Sequence, residues 1–364
     1  GLEIEENSIC EKLVKLGCQI TDLKDEFLII PPSWRQDLKI KEDLVEEVGR
    51  LLGYEKIPNK AFDLKKNNVA SITSETQKIK RQIKELLVSR NIMEIISWSF
   101  SNKKWEENVT GNTDNFEIQN PISEELSCLR QTLLGGLLNI VNKNNNKDRQ
   151  NISIFEIGPV FTGIHPEEQK DRLTIVRSGR AIDKNWTANN RNYDVFDIKS
   201  DLVSLLRLLK IPLDKIKIKN ENNNFFHPGK SCSVYFSELK IASFGEIHPN
   251  VSKNFKIKNT VIVLDVYISE ILENIKKRIQ TRNKFFESNF QLSVRDFSFE
   301  VDKKLNSIDL VNYIKNIDKD IISDVKVFDN YENENLRAIA LEVIIQSDSK
   351  TLSENEINEL STKI

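Results

Sequence analysis

The sequence predicts a multidomain α+β protein. Three stretches carry that reading. The first sixty residues read helix, strand, helix. A long middle region mixes amphipathic helices with apolar strand runs. From residue 289 the order is strand, helix, strand, strand, helix, which is the β-α-β-β-α part of a ferredoxin-like unit. A chain of 364 residues has room for two or three such domains. Its 39% hydrophobic content is enough to bury real cores, which sets it apart from a disordered chain.

In the first unit, residues 1–60, Ser8 and Glu11 form an S-x-x-E capping box ahead of a helix carrying Ile9, Leu13 and Val14, and Gly17 stops it. Phe27-Leu28-Ile29-Ile30 reads as a strand, ended by Pro31-Pro32 because proline cannot donate to a ladder. A second helix runs over about 42–52, with Gly53 as its stop. Residues 61–72 are polar and read as a linker. In the middle region, 73–275, helices are expected over 75–90 (Ile79, Ile83, Leu86 and Leu87 on one face) and 124–142. Strands are expected over 94–99, 152–157, 173–176, 231–236 and 261–268. Residues 276–288 read as a second linker. The last unit, 289–364, is expected to have strands at 293–301, 322–330 and 337–345 and helices at 307–317 and from Ser353. Its closing strand is lacking because the sequence ends at Ile364, which leaves an expected free sheet edge. No internal repeat is found.

The totals exclude several classes. A net charge of -2 rules out a uniformly basic nucleic-acid binder and leaves room for a local basic patch. Cys10, Cys18, Cys128 and Cys232 form no CxxC pair and no zinc spacing, so a reduced, intracellular protein is expected. No apolar run is long enough for a membrane helix. The acidic start GLEIEENSICEK lacks the order of a signal peptide, and its abruptness suggests a piece of a longer chain.

The most informative stretch is PPSWRQDLKIKEDLVEEVGRLLGYEKIP, residues 31–58. Leu44, Val45, Val48, Leu51 and Leu52 mark the buried face of its helix, while Asp43, Glu46 and Glu47 stack on another and Asp37 precedes them. Converging carboxylates repel unless neutralised, and an oxygen-only set suits Mg²⁺ or Ca²⁺. Acids near a helix N-terminus are also favoured by the dipole and solvated without any ion, and spacing alone does not choose between the two.

This stretch resembles the B5 domain of the bacterial phenylalanyl-tRNA synthetase beta subunit, with its P-S-x-R-x-D, D-L-x-E-E-x-x-R-x-x-G-Y and I-P pattern. The resemblance continues in order. Asn120-Pro121-Ile122-Ser123 with Leu129-Arg130, Phe155-Glu156-Ile157-Gly158, His227-Pro228-Gly229-Lys230-Ser231 and Gly245-Glu246-Ile247-His248-Pro249 match the catalytic-like core. Arg295-Asp296, Val327 to Tyr331 and Lys350-Thr351-Leu352 match the ferredoxin-fold anticodon-binding domain, although Gln291 replaces the usual proline.

The resemblance implies a winged-helix-like B5 unit, a class II synthetase-like antiparallel-sheet core without an active site, and a truncated ferredoxin-like domain. It implies a magnesium ion on Asp37, Asp43, Glu46 and Glu47, near the boundary with an alpha subunit. That partner would bind ATP and phenylalanine and charge tRNA(Phe) in a cytoplasmic (αβ)₂ heterotetramer. The anticodon region of the tRNA would meet the last unit, for which Arg295, Lys303, Lys304, Lys315 and Lys319 are the candidates. An RNA-binding module and an editing domain would precede Gly1.

No catalytic residue is assigned. Arg130 stands in Leu-Arg-Gln-Thr without the acid a class II F-R-x-E strand needs, and no Walker loop occurs. His227 and His248 read as turn residues beside proline, Glu156 as a buried hydrogen-bonded carboxylate, and Phe328 as core or base-stacking. Arg35 is a candidate partner for the acids. The alternative is a freestanding Mg²⁺-dependent nucleic-acid-binding or phosphotransfer protein. The acidity of the 42–52 helix speaks against DNA, and the lack of a nearby base against phosphotransfer.

Overall fold

The computed structural model describes every residue except 1, 25, 60–71, 113–115, 188–189, 222–223, 276–286 and 334–335. Most of both expected linkers therefore lies outside the described residues. Two compact units are distinguished, Gly1–Lys78 and Ile79–Ile364.

The first unit is α1 (Glu6–Lys15), β1 (Gln19–Asp22), β2 (Phe27–Ile30) and α2 (Lys41–Leu52). The hairpin β1–β2 is antiparallel, Gln19 facing Ile30. Sequence reading missed β1, whose residues are mostly exposed and carry no apolar run. The expected cap is also corrected. Ser8 lies inside α1, and Glu5, in extended backbone, is the N-cap. Leu13, Cys18, Leu38 and Val48 form the small core. Gly53 ends α2 at φ 91°, a region that a side chain would strain.

The boundary after Lys78 falls within α3 (Glu75–Ser89), which is followed by β3 (Met93–Glu94), β4 (Phe100–Ser101), α4 (Lys103–Thr110), β5 (Cys128–Leu129) and α5 (Leu134–Asn145). The second unit continues with β6 (Ile152–Phe161), β7 (Gln169–Ser178), α6 (Val195–Leu208), β8 (Ile216–Lys219), β9 (Phe226–Phe236), β10 (Leu239–Ile247), α7 (Pro249–Asn254), β11 (Val261–Tyr267) and α8 (Ile268–Ile275). The expected helix 124–142 is corrected. Cys128 and Leu129 pair with Phe100 and Ser101 instead, and the helix begins only at Leu134. Likewise 94–99 is not one strand, for Met93–Glu94 and Phe100–Ser101 belong to different sheets.

A seven-stranded sheet, ordered β3-β6-β7-β11-β10-β9-β8, organises this region. All its pairs are antiparallel except β3–β6. Both faces are covered, so its central strands are nearly continuous apolar runs. Ile83, Leu87, Ile198, Leu202 and Ile271, from α3, α6 and α8, pack against Phe155, Ile175 and Leu264 on one face. Leu134, Leu137, Leu138, Val141 and Val251, from α5 and α7, pack against Ile154, Val176 and Val263 on the other.

The last elements are β12 (Ser293–Val301), α9 (Ser307–Lys315), β13 (Ile322–Glu332), β14 (Arg337–Ile345) and α10 (Glu354–Lys363). The three-stranded sheet is ordered β12-β14-β13, with Ile339, Leu341, Val343 and Ile345 of β14 buried at period two against Ile314, Ile357 and Leu360. A register shift between Val327 and Asp329 leaves Val327 and Phe328 both exposed, so Phe328 is not a core residue.

Candidate functional site

The acid-rich stretch is organised by one arginine. Pro31-Pro32 ends β2, and the chain turns so that Arg35 faces the side of α2. The Arg35 guanidinium donates through Nε to Asp37 Oδ1 at 3.0 Å and through Nη2 to Asp37 Oδ2 at 2.6 Å and Glu47 Oε1 at 2.7 Å. Glu47 Oε2 accepts from Arg50 at 2.5 Å. Asp43 Oδ2 accepts the backbone N–H of Lys39 at 2.8 Å and of Ile40 at 3.0 Å, and so satisfies donors at the start of α2. Glu46 lies apart, on the rim of an apolar groove with Lys41, Val45 and Tyr54.

The electrostatics follow. Hydrogen bonds from Arg35 hold Asp37 below the ordinary carboxylate range, and those from Arg35 and Arg50 do the same for Glu47. Asp43 is lowered by the two backbone donors. Among the described residues, no three His, Cys, Asp or Glu side chains come together as a metal-ligand set. In this arrangement the four acids do not fit a divalent ion. The guanidinium stands between Asp37 and Glu47, and Asp43 has one oxygen committed to the backbone.

In the central sheet, Arg130 finds the acid that its own tetrapeptide lacks. Its Nη1 donates to Glu156 Oε1 at 2.7 Å, and its Nε donates to Pro159 O at 2.8 Å. Ser97 Oγ donates to Glu156 Oε2 at 2.7 Å. Arg130 and Glu156 are both buried, so this arginine is consumed inside the fold. His227 Nδ1 and His248 Nδ1 each accept the backbone N–H two residues on, at 3.1 Å, as turn residues do. A cavity of about 290 Å³ on the α5 side of the sheet is lined by Gln131, Thr132, Arg172, Asp265 and Tyr267. Arg172 lies over the Tyr267 ring at 3.5 Å, and burial raises the Asp265 carboxyl and pushes the Tyr267 phenol up to about 12.

The five expected RNA contacts are not brought to one place. Ser293, Ile345 and Ile322 share one end of the β12-β14-β13 sheet, and Val301, Arg337 and Glu332 share the other. Arg295 lies towards the first end, and so do Lys315 and Lys319, which flank the entry to β13. Lys303 and Lys304 lie at the second. Lys303 Nζ donates to Asn333 O at 2.6 Å, and Lys315 pairs with Asp324 at 2.8 Å, while Lys304 and Lys319 are exposed. Phe328 and Tyr331 are exposed on β13.

Three sequence profiles match along the chain, in the order the fold shows. Residues 1–54 match the tRNA synthetase B5 domain, 63–268 the phenylalanyl tRNA synthetase beta chain CLM domain, and 288–364 the ferredoxin-fold anticodon binding domain. The chain belongs to the phenylalanyl-tRNA synthetase beta-chain family. Relatives within that family include phenylalanine–tRNA ligase beta subunits of Ehrlichia canis (34% identical over all of this chain and 46% of the relative) and Rickettsia prowazekii (32%, over 99% and 44%). The chain thus spans somewhat under half the length of these curated relatives. A solved pyrrolysyl tRNA synthetase of Desulfitobacterium hafniense overlays 69% of this chain and 81% of its own, at 13% identity and a TM-score of 0.46, a likeness too slight to argue from. No helix among the described residues is long and apolar enough to cross a membrane.

Proposed function

We propose that this chain serves phenylalanine–tRNA ligase as its beta component, without an adenylation site of its own. In this reading an alpha subunit binds ATP and phenylalanine and charges tRNA(Phe) within an (αβ)₂ assembly in the cytoplasm. The beta chain supplies the scaffold, a synthetase-like sheet core, and the anticodon-region contact. The domain limits we propose are 1–60, 73–275 and 289–364. The observation that carries the reading is the ordered run of three family domains, together with the burial of Arg130 against Glu156. An arginine locked to a carboxylate 26 residues away cannot also grip a nucleotide phosphate without breaking that buried pair.

The test is co-expression with a bacterial phenylalanyl-tRNA synthetase alpha subunit, followed by mass measurement and aminoacylation of tRNA(Phe). A stoichiometric complex, active only with both chains, is the expected result. Charging by this chain alone would overturn it.

A magnesium ion on Asp37, Asp43, Glu46 and Glu47 would require Arg35 to release two carboxylates, and we propose it only for a state in which those ion pairs have opened. Thermal unfolding with Mg²⁺ or a chelator tests it. A midpoint that rises with Mg²⁺, and no longer does so after Asp43→Asn plus Glu46→Gln, would favour the ion. Indifference to both would leave Arg35 as the neutralising cation.

A further inference from the structure

Among the described residues, one end of the central sheet gathers exposed cations from three segments. Ile152 of β6 and Val261 of β11 both face Ser178 of β7, so the three strands end side by side. Their adjoining segments, 143–151, 179–187 and 253–259, are tied together there. Asn259 Nδ2 donates to Gln150 Oε1 at 2.6 Å, Ser178 Oγ to Thr260 O at 2.9 Å, the Arg180 N–H to Asn151 Oδ1 at 3.0 Å, and Asn151 Nδ2 to Asp183 Oδ1 at 3.0 Å.

These segments hold eight Lys or Arg residues against two Asp, in a chain whose net charge is -2. Lys147, Arg149, Arg180, Lys184, Lys256 and Lys258 are all exposed, and none makes an ion pair with another described residue. Elsewhere on the described surface some cations are matched locally, as in Lys15–Glu11, Lys78–Glu75 and Arg81–Glu85, and others, such as Lys104, Arg207 and Lys363, stand singly. What sets these segments apart is the gathering of eight cations with only two carboxylates at one end of the sheet. Trp186, two residues on from Lys184, is 95% exposed, on a turn held by Thr187 N–H donating to Asn185 Oδ1 at 2.9 Å. By contrast, residues 288–364 carry nine Lys or Arg against fifteen Asp or Glu.

The geometry points to this end of the seven-stranded sheet as an RNA-binding surface, in which Lys147, Arg149, Arg180, Lys184, Lys256 and Lys258 meet the phosphates of a folded RNA and Trp186 stacks on an exposed base. The inference rests on the RNA-serving function proposed above and adds a second contact to it. Cations spread over three neighbouring strand ends, about 10 Å of sheet width, span several phosphates of a backbone with a charge every ~1.7 Å of duplex axis. An exposed aromatic close in sequence to a cation and amides suits ribose, phosphate and base face together.

The test uses the chain assembled with its alpha subunit and a fluorescent tRNA(Phe) transcript, titrated across a range of salt. The quadruple change Lys147→Ser, Arg149→Ser, Lys256→Ser and Lys258→Ser is expected to weaken binding about ten-fold or more and to flatten the log–log salt slope by about 3, circular dichroism being unchanged. Trp186→Ala is expected to weaken it about five-fold or more with the slope kept. Lys304→Ser plus Lys319→Ser is the comparison pair, expected to have the smaller effect. Wild-type affinity and slope in the quadruple variant would overturn this surface while leaving the proposed function standing. No salt-dependent RNA binding by the wild-type complex would overturn both. Equal RNA binding by both proteins, with loss only of binding to phosphatidylserine vesicles, would reassign the surface to a membrane and overturn the RNA claim.

Discussion

Two arginine–carboxylate centres in this chain use the same chemistry in different surroundings. In the first unit, Arg35, 22% exposed, bridges Asp37 at 62% and Glu47 at 12%, a partly exposed centre. Against the central sheet, Asp201 of α6 is fully buried and receives Arg177 through Nε at 2.7 Å and Nη2 at 3.0 Å, and Arg90 through Nε at 2.6 Å. The buried centre ties α6 to β7 and to the end of α3, and losing one partner would strand charge in a poorly solvating interior. The partly exposed centre can exchange its arginine for water or another cation at small cost. Burial, more than the number of hydrogen bonds, decides which centre is structural and which is replaceable.

The sharpest way to break this contrast is Asp201→Asn. It leaves two arginines short of an anion and should cost about 3–5 kcal/mol, read as a fall in the urea midpoint. Glu156→Gln comes next, at about 2–3 kcal/mol, because the amide oxygen can still accept one bond from Arg130 or Ser97. Arg35→Ala should move the midpoint far less than either. It should also make unfolding of the first unit more sensitive to divalent ions, as the carboxylates lose their internal cation. A loss as large as that of Asp201→Asn would refute the distinction.

The smallest effect concerns pH. Asp37 and Glu47 are lowered in the folded state, so their contribution is present above the ordinary carboxylate range and lost as pH falls through it. The stability difference between wild type and Arg35→Ala should therefore shrink below about pH 4 and be steady near neutrality. A difference that persists unchanged into acid would mean that Arg35 acts by packing.

Strong periodicity made much of the fold legible. Helix α2, with its apolar face and glycine stop, and β14, with its alternation, sit close to where the sequence placed them. The failures came where tertiary pairing overrode local pattern. Cys128-Leu129 lies inside the stretch 124–142 that reads as helix until Phe100-Ser101 offers it a ladder. Helices α4 and α6 and strand β10 were passed over. In the candidate sites, the acid residues were visible as a cluster, and the pairing with Arg35 was open to inference at two residues' separation. The partners of Asp201, up to 111 residues distant, were not. The basic end of the sheet was hidden for the same reason. Its lysines are ordinary in each segment and become a surface only when three strand ends meet.

That last feature has a consequence for biogenesis. The bonds joining Gln150 to Asn259 and Ser178 to Thr260 close loops of 109 and 82 residues. Contacts so distant in sequence carry a large loop-closure cost and form slowly. A nascent or misfolded chain already has every lysine, yet not their juxtaposition. Tight polyanion binding at this surface would thus act as a certificate of maturation, withheld from the ribosome's product until the sheet has been assembled through β11.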